Sequence, residues 1–131
     1  MAEDNGVLRK FKSGANRDTA EGKIDPEGFF DPLVITAFSE FMHEHRKQTD
    51  GNLRDSDNWQ NGFTRASIMK SMWRHLLDVW RMHRGHPPFS SDHAEIWKTN
   101  PKKALVHALC GVYFNAAAYM REILLGRDNS E

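Results

Sequence analysis

Two short groups of polar side chains have spacings that could support chemistry. Glu40 and Glu44 lie four residues apart, so on a helix their carboxylates are one turn apart. If both face solvent, they only repel each other, at a cost of roughly a few tenths of a kcal/mol. If they border a cleft, they suit a hard divalent cation, which takes oxygen ligands. His75 and Asp78 lie three residues apart, so they also share one side of a helix.

The stretch from Asn58 to Gly85 must position His75 and Asp78, and its periodicity predicts one long helix. Thr64 is a suitable N-cap, and Gly85 is a suitable residue just after the C-terminus. The predicted core stripe of this helix consists of Ile68, Met69, Met72, Trp73, Leu76, Val79, Trp80 and His83. A partly polar ridge runs beside the stripe, formed by Ser71, His75, Asp78 and Met82, whereas Lys70, Arg74 and Arg81 form a basic face. A polar ridge next to a core is a place where a cleft between helices could hold a polar ligand.

Asp31 followed by Pro32 predicts the start of the helix that carries Glu40 and Glu44. Its predicted core stripe consists of Val34, Ala37, Phe38, Phe41 and His45. A short helix is predicted from Ser91 or Asp92 to Lys98. The last helix is predicted at about Lys102 to Leu125, since Asn100 and Pro101 repeat the signal for a helix start and Gly126 ends the pattern.

The last helix is apolar on nearly all faces, which indicates burial on several sides and predicts that a second subunit covers some of its surface. One ridge differs from the rest and consists of His107, Gly111, Asn115, Ala118 and Glu122. His107 and Asn115 need hydrogen-bond partners if they are buried, either in a purely structural role or as ligand contacts. Gly111 and the run from Ala116 to Ala118 thin the helix, so a neighbouring backbone or a ligand can approach it closely.

Two polar segments could contact a ligand. Asn58 and Trp59 lie near the end of a polar loop, where a Trp either plugs the edge of the core or stacks on a base. Residues 1–30 lack any period and predict an arm, which is either flexible or lies over an anionic ligand through Lys12, Arg17 and Lys23.

The composition bounds the class of protein. A chain of 131 residues predicts one domain, and a formal net charge of +0 gives no general attraction to nucleic acid or to an anionic membrane. The single Cys110 fits a reducing compartment, and the N-terminus lacks the apolar segment of a signal peptide. No apolar run is long enough to span a bilayer. The sequence therefore predicts a soluble, cytoplasmic protein that binds neither nucleic acid nor membrane.

Familiar nucleotide and hydrolase motifs are absent, including the GxxxxGK loop, GxGxxG, paired-Cys zinc spacings and GxSxG. The helical set of acidic residues resembles the metal site of the all-α nucleoside triphosphate pyrophosphatases, MazG and its relatives. Their pattern is EExxE on one helix and ExxD on the next. Here Ser39 precedes Glu40, Glu44 lies four residues further on, and His75 replaces the first Glu of ExxD.

A second resemblance covers nearly the whole chain. Five segments are similar in kind and order to the phage and bacterial dATP/dGTP diphosphohydrolase family, namely FKSGANRDTAEGKIDPEGFFDPL, FMHEHRK, DSDNWQNG, SMWRHLLDVW and HALCGVYFNA. The resemblance implies an all-α, MazG-like bundle that oligomerises as a homodimer or homotetramer. It also implies that a deoxypurine nucleoside triphosphate, dGTP above all, is cleaved to dGMP in the synthesis of phage 2-aminoadenine DNA.

Under this resemblance, each candidate residue receives a role. Glu40, Glu44 and Asp78 are the expected ligands of Mg²⁺ or Mn²⁺, and His75 orients a ligand or the attacking water. The phosphates are expected at Arg74, Arg17 or Lys23, and the base at Trp59 and Asn58, with His107 and Asn115 nearby. The predicted domains are the arm, residues 1–30, and the helical pyrophosphatase domain, residues 31–131. The competing hypothesis is a non-catalytic helical protein that dimerises through its apolar last helix.

Overall fold

A computed structural model describes residues 8–19 and 21–129, and these residues are mostly helical. They divide into two compact units, Met1–Ile35 and Thr36–Glu131. The helices are α1 (Pro26–Phe29), α2 (Pro32–Glu44), α3 (Arg65–His83), α4 (Ser91–Trp97) and α5 (Pro101–Leu124), with a 3₁₀ turn at Asn58–Asn61. No helix in these described ranges combines the length and the hydropathy needed to cross a bilayer.

The N-terminal unit contains a small hairpin that the aperiodic sequence did not predict. Strand β1 (Leu8–Lys10) pairs antiparallel with β2 (Asn16–Asp18), and Arg17 lies opposite Arg9. Gly14 has a φ of 92° in the connecting turn, a conformation that glycine adopts without strain. Strands this short are below the length at which alternation can be recognised in a sequence.

The helix boundaries follow the predicted caps. The Thr64 side chain accepts a hydrogen bond from the Ser67 N–H at 3.1 Å, and Asn100 accepts one from the Lys103 N–H at 3.1 Å. Each bond satisfies a backbone donor that the first turn of a helix leaves free. Gly85 follows α3 with a φ of 84°, which is the left-handed conformation expected after a helix end.

The prediction of the buried face of α3 is wrong at most of its positions, although Ile68 of the predicted stripe is buried. Trp73 and Trp80 of the predicted core stripe are 63% and 58% exposed, whereas Asp78 of the polar ridge is 1% exposed. The polar ridge of α3 instead packs against α5, where the buried side chains include the whole ridge His107, Gly111, Asn115, Ala118 and Glu122. Two polar ridges therefore meet inside the helical unit, and much of the apolar surface of both helices faces outward.

Candidate functional site

A cavity of about 700 Å³ lies within the helical unit, in the size range of small-molecule sites. Its walls come from α2 and the loop that follows it, the 3₁₀ turn, α3, the start of α4 and α5. The polar and charged groups that line it are Ser39, His43, His45, Arg46, Arg54, Asp55, Ser56, Asn58, Ser71, His75, Asp92 and Asn115. The cavity thus combines aromatic surface with donors, acceptors and both signs of charge.

An aromatic wall forms one part of the cavity. The Trp59 and Phe114 rings meet edge to face with centroids 5.8 Å apart, and Phe63 meets Phe114 at 6.3 Å. The Arg121 guanidinium lies 5.9 Å from the Trp59 ring centroid, where the ring quadrupole attracts a cation. Trp59 therefore packs against α5 and also lines the cavity, whereas its stacking on a base stays a prediction.

A buried carboxylate fixes the turn that carries Asn58 and Trp59. Glu122 is 2% exposed and accepts two hydrogen bonds from Arg127 Nε and Nη2, and one from Asn129 Nδ2 at 2.8 Å. Arg127 Nη2 also donates to the Gln60 carbonyl at 2.8 Å. The hydrogen bonds from Arg127 hold the pKa of Glu122 below its ordinary value, so the carboxylate stays ionised. The chain after α5 thereby ties the 3₁₀ turn to the helical core.

Gly111 provides the space in which the His75 ring lies. A methyl group at Gly111 would lie 2.5 Å from Cγ and 2.7 Å from Cδ2 of His75, closer than carbon atoms can approach. The sequence predicted that a backbone or a ligand would approach Gly111, whereas a side chain of α3 lies there. On the next turn of α5, Asn115 Nδ2 donates to the Gly111 carbonyl at 2.7 Å and lies 3.3 Å from Ser71 Oγ. Both amide hydrogens are thus engaged, and Oδ1 is the polar atom that Asn115 can offer to a ligand.

His75 and His93 form a hydrogen-bonded pair beside Asp78. His75 Nδ1 lies 3.0 Å from His93 Nε2, which in turn lies 3.9 Å from Asp78 Oδ2. Burial lowers the pKa of both imidazoles, and the nearby His93 and His45 lower that of His75 further, while the Asp78 carboxylate opposes the shift of both rings. Both are therefore neutral at pH 7. When both rings are neutral, the hydrogen bond between His75 Nδ1 and His93 Nε2 contains one hydrogen, so one ring donates it and the other accepts it.

The nearby carboxylate decides which ring donates. The negative charge of Asp78 favours the tautomer of His93 with its hydrogen on Nε2, since that hydrogen lies on the side of the carboxylate. His93 then donates to His75 Nδ1, and His75 carries its own hydrogen on Nε2. His93 Nδ1 is buried and has no hydrogen-bond partner among the described residues. In this tautomer Nδ1 carries no hydrogen. In this tautomer His75 is a neutral N–H donor through Nε2, and His75 is one of the residues that line the cavity.

Asp78 itself is engaged at the start of α4. Its Oδ1 accepts hydrogen bonds from the Phe89 N–H at 2.7 Å and the Ser90 N–H at 3.2 Å, and its Oδ2 accepts one from Ser90 Oγ. Ser90 is the N-cap residue of α4, so the negative charge lies next to the positive end of that helix. This arrangement joins α3 to α4 and fixes His93, which lies in the first turns of α4.

Two further histidines lie near α2. His45 Nδ1 donates to the Phe41 carbonyl at 2.8 Å, because a carbonyl oxygen can only accept. His107 Nε2 lies 3.6 Å from Glu44 Oε2, and Lys103 Nζ lies 3.9 Å from Glu44 Oε1. Burial lowers the pKa of His107, and the Glu44 carboxylate partly opposes that shift.

The structure brings together only some of the predicted site residues. Asn58, Trp59, His75 and Asn115 all line the cavity. The residues that do not line it are Glu40, Glu44, Arg74, Asp78 and His107, and Arg17 and Lys23 belong to the N-terminal unit. Within residues 8–19 and 21–129, no three His, Cys, Asp or Glu side chains are grouped as ligands for one metal ion. The assignment of Glu40, Glu44 and Asp78 to Mg²⁺ or Mn²⁺ stays a prediction.

Several residues in or near the cavity received no site role from the sequence, among them His45, Arg46, Arg54 and His93. His45 was expected in a core stripe, whereas it is exposed and lines the cavity. Arg54 lies in a loop without periodicity, and the pairing of His93 with His75 spans 18 positions of sequence. Local spacing carries no signal for such contacts. Comparison of the chain with protein-family models, with curated proteins and with solved structures gave no match.

Proposed function

We propose that this protein is a nucleoside triphosphate pyrophosphatase of MazG-like build, which cleaves deoxypurine triphosphates between the α and β phosphates. The preferred substrate in this proposal is dGTP, converted to dGMP and pyrophosphate. Such an activity would supply a phage 2-aminoadenine DNA pathway in the cytoplasm of the host. The reaction and the substrate come from the resemblance of the sequence to the dATP/dGTP diphosphohydrolases. The structural support is the cavity described above.

The observation that carries the proposal is the convergence of Trp59, Asn58, His75 and Asn115 on a single cavity of about 700 Å³. These residues come from three separate segments of the sequence. Asn58 and Trp59 were expected at the base from their residue types, His75 from its place in the resemblance, and Asn115 was left open between a structural role and a ligand contact. Trp59 offers a ring for stacking on a base, and base–aromatic stacking contributes about 1–3 kcal/mol per base. Asn58 offers an amide group, and Asn115 offers its Oδ1 as an acceptor, to the edge of a purine.

His75 fits a role at an oxygen atom of the substrate. Its neutral N–H can donate to a phosphate or base oxygen without the cost of desolvating a cation. His93 holds the ring through Nδ1, and Gly111 leaves room for it. Mg²⁺ or Mn²⁺ would neutralise the phosphates and polarise the bond that breaks. The cation in this proposal enters with the triphosphate, since no group of three ligands is assembled among the described residues.

We further propose that the protein works as a homodimer or homotetramer. The outer face of α3 exposes Trp73, Leu76, Leu77 and Trp80, which together with Val79 and His83 line an apolar groove of about 460 Å³. The last turns of α5 expose Met120, Ile123 and Leu124. Apolar patches of this kind are rare on monomers and are typical of interfaces. A second copy of the chain would cover them and complete the core that the polar ridges do not supply.

Light scattering coupled to size exclusion is expected to give a mass of two or four times 15.1 kDa. Replacing Trp80 with Lys should shift the protein toward the monomer, because a buried cation at an apolar interface has no partner. Lys98→Ala, on the exposed face of α4, is the control and should leave the mass unchanged. A wild-type mass of 15.1 kDa at micromolar concentration would refute the oligomer.

The activity is tested with dGTP, dATP, dCTP, dTTP and GTP in the presence of Mg²⁺ or Mn²⁺. Chromatography of the products is expected to show dGMP and pyrophosphate from dGTP. Trp59→Leu should raise KM about tenfold or more, whereas Trp59→Phe should retain most of the affinity because it keeps an aromatic face. Release of intact triphosphate would place the cleavage at a different bond and contradict the proposal.

The competing function is that of a non-catalytic interaction protein that dimerises through α5. The exposed apolar residues of α5 favour it as much as they favour an oligomeric enzyme. A thermal shift separates the two, since a ligand at about 100 times its Kd adds roughly 2.7 kcal/mol to the stability of a protein that binds it. An interaction protein gives no shift with any nucleotide and metal, whereas the proposed enzyme does.

A further inference from the structure

We propose that Arg46 and Arg54 form the oligophosphate subsite of the cavity, an inference that rests on the proposed function and makes it specific. Both arginines line the cavity. Of the three basic residues that the sequence offered for the phosphates, Arg74 is not part of the cavity lining, and Arg17 and Lys23 belong to the N-terminal unit. Among the described residues of the helical unit, Arg46 and Arg54 are the arginine or lysine side chains that line the cavity.

The backbone between the two arginines holds them side by side. An antiparallel bridge joins Lys47 to Leu53, and the Arg54 N–H donates to the Arg46 carbonyl at 2.8 Å. The Asp50–Gly51 turn closes the loop, with Gly51 at a φ of 88°. These backbone contacts hold Arg46 and Arg54 next to each other.

Each of the two guanidinium groups donates one hydrogen bond to a backbone carbonyl. Arg46 Nε donates to the Arg54 carbonyl at 2.7 Å, and Arg54 Nη1 donates to the His45 carbonyl at 3.0 Å. Within residues 8–19 and 21–129, neither guanidinium forms an ion pair with a carboxylate. Both terminal NH₂ groups of Arg46 and the second NH₂ group of Arg54 thus keep their hydrogens for a ligand. Oriented, unpaired guanidinium groups suit phosphate oxygens, which they bind through two parallel hydrogen bonds.

The remaining charges of the cavity define the form of the ligand. Asp55 and Asp92 also line it, and their carboxylates repel a bare polyanion. A triphosphate that carries its divalent cation presents positive charge toward carboxylates and phosphate oxygens toward arginines. The ligand class is therefore a metal-complexed nucleoside triphosphate, with its phosphates at the arginines and its base at Trp59.

Isothermal titration tests the subsite on the full chain, with α,β-methylene-dGTP and Mg²⁺ as a ligand that resists cleavage and with deoxyguanosine as a ligand without phosphates. Arg54→Gln is expected to weaken binding of the triphosphate analogue at least about tenfold, and the double variant with Arg46→Gln about a hundredfold, since a hydrogen bond to a charged group contributes about 1.5–3 kcal/mol. Deoxyguanosine should bind all variants equally. Arg84→Gln removes the same charge outside the cavity and is the control.

The outcomes separate this inference from the function on which it rests. If the double variant binds the analogue as tightly as the wild type, the arginine subsite is wrong and the base cavity stands. If the wild type binds neither ligand, the proposed function fails together with the subsite. Because Arg46 also holds its loop, Arg46→Lys serves as a second variant. Loss of deoxyguanosine binding in Arg46→Lys or Arg54→Gln would show a structural role and overturn the subsite.

Discussion

Replacing Gly111 with alanine is expected to displace the His75 ring and to weaken nucleotide binding at least about tenfold, the effect of one lost hydrogen bond to a charged ligand. The added methyl group would overlap Nδ1, Cγ and Cδ2 of His75. His93 holds that ring at 3.0 Å, so the ring can move only by breaking this hydrogen bond or by spreading α3 from α5. Overpacking of this kind costs about 1–3 kcal/mol of stability.

Helix propensity makes this prediction unusual, because Gly→Ala within a helix ordinarily stabilises a protein by about 1 kcal/mol. A double-mutant cycle separates the two effects. In a His75→Ala background the obstacle is gone, so Gly111→Ala should be neutral or stabilising there, as measured by urea unfolding. Equal effects of Gly111→Ala in the two backgrounds would show that His75 does not occupy the space above Gly111.

The sequence predicted the starts of the long helices well, because these starts are fixed by local chemistry. The side chains of Thr64 and Asn100 cap α3 and α5 by accepting hydrogen bonds from backbone N–H groups three residues later. Because the cap and its partner are so close in the sequence, the pattern can be recognised without a structure. Pro32 and Gly85 act through their own backbone preferences. Such signals depend little on the rest of the molecule, so α2, α3 and α5 begin within a residue or two of their predicted starts.

The buried face of α3 could not be predicted in the same way. Periodicity identifies the apolar side of a helix, and that side is buried only if something covers it. In the single chain, Trp73 and Trp80 remain exposed while Asp78 is buried, because the α3 ridge finds hydrogen-bonding partners in α4 and α5. Such an exposed apolar face is expected if a second copy of the chain packs against it, as in the proposed oligomer.

Some residues that line the cavity could be chosen from their residue type alone. Others could not be chosen, because their positions depend on contacts with distant parts of the chain. Trp59 and Asn115 were chosen for their chemistry, and both line the cavity. Arg46 and Arg54 lie side by side because an antiparallel bridge closes the loop between them. His93 is relevant to the site because it contacts His75 and lies near Asp78. Contacts between distant segments follow from the packing, which spacing within one helix does not encode.

Replacing Asp78 with alanine is expected to destabilise the protein by about 2–4 kcal/mol, whatever role Asp78 has at a metal. The change leaves the Phe89 N–H, the Ser90 N–H and Ser90 Oγ without their acceptor, and each partly buried donor without a partner costs about 1–3 kcal/mol. Water reaches the exposed Phe89 and reduces the total. Asp78→Asn keeps an acceptor oxygen for the two backbone donors, so it should cost less than Asp78→Ala.

The measurement is urea unfolding followed by circular dichroism, with Glu95→Ala as the control on the same α4. Glu95 forms only an exposed ion pair with Lys98 at 3.1 Å, so its removal should change stability by at most about 0.5 kcal/mol. An unchanged unfolding midpoint for Asp78→Ala would contradict the structural role. Asp78→Asn isolates the functional role, because removing the charge that favours the Nε2–H tautomer of His93 should lower turnover in protein that is still fully folded. Full turnover by folded Asp78→Asn would show that neither the tautomer of His93 nor a metal at Asp78 is needed for the reaction.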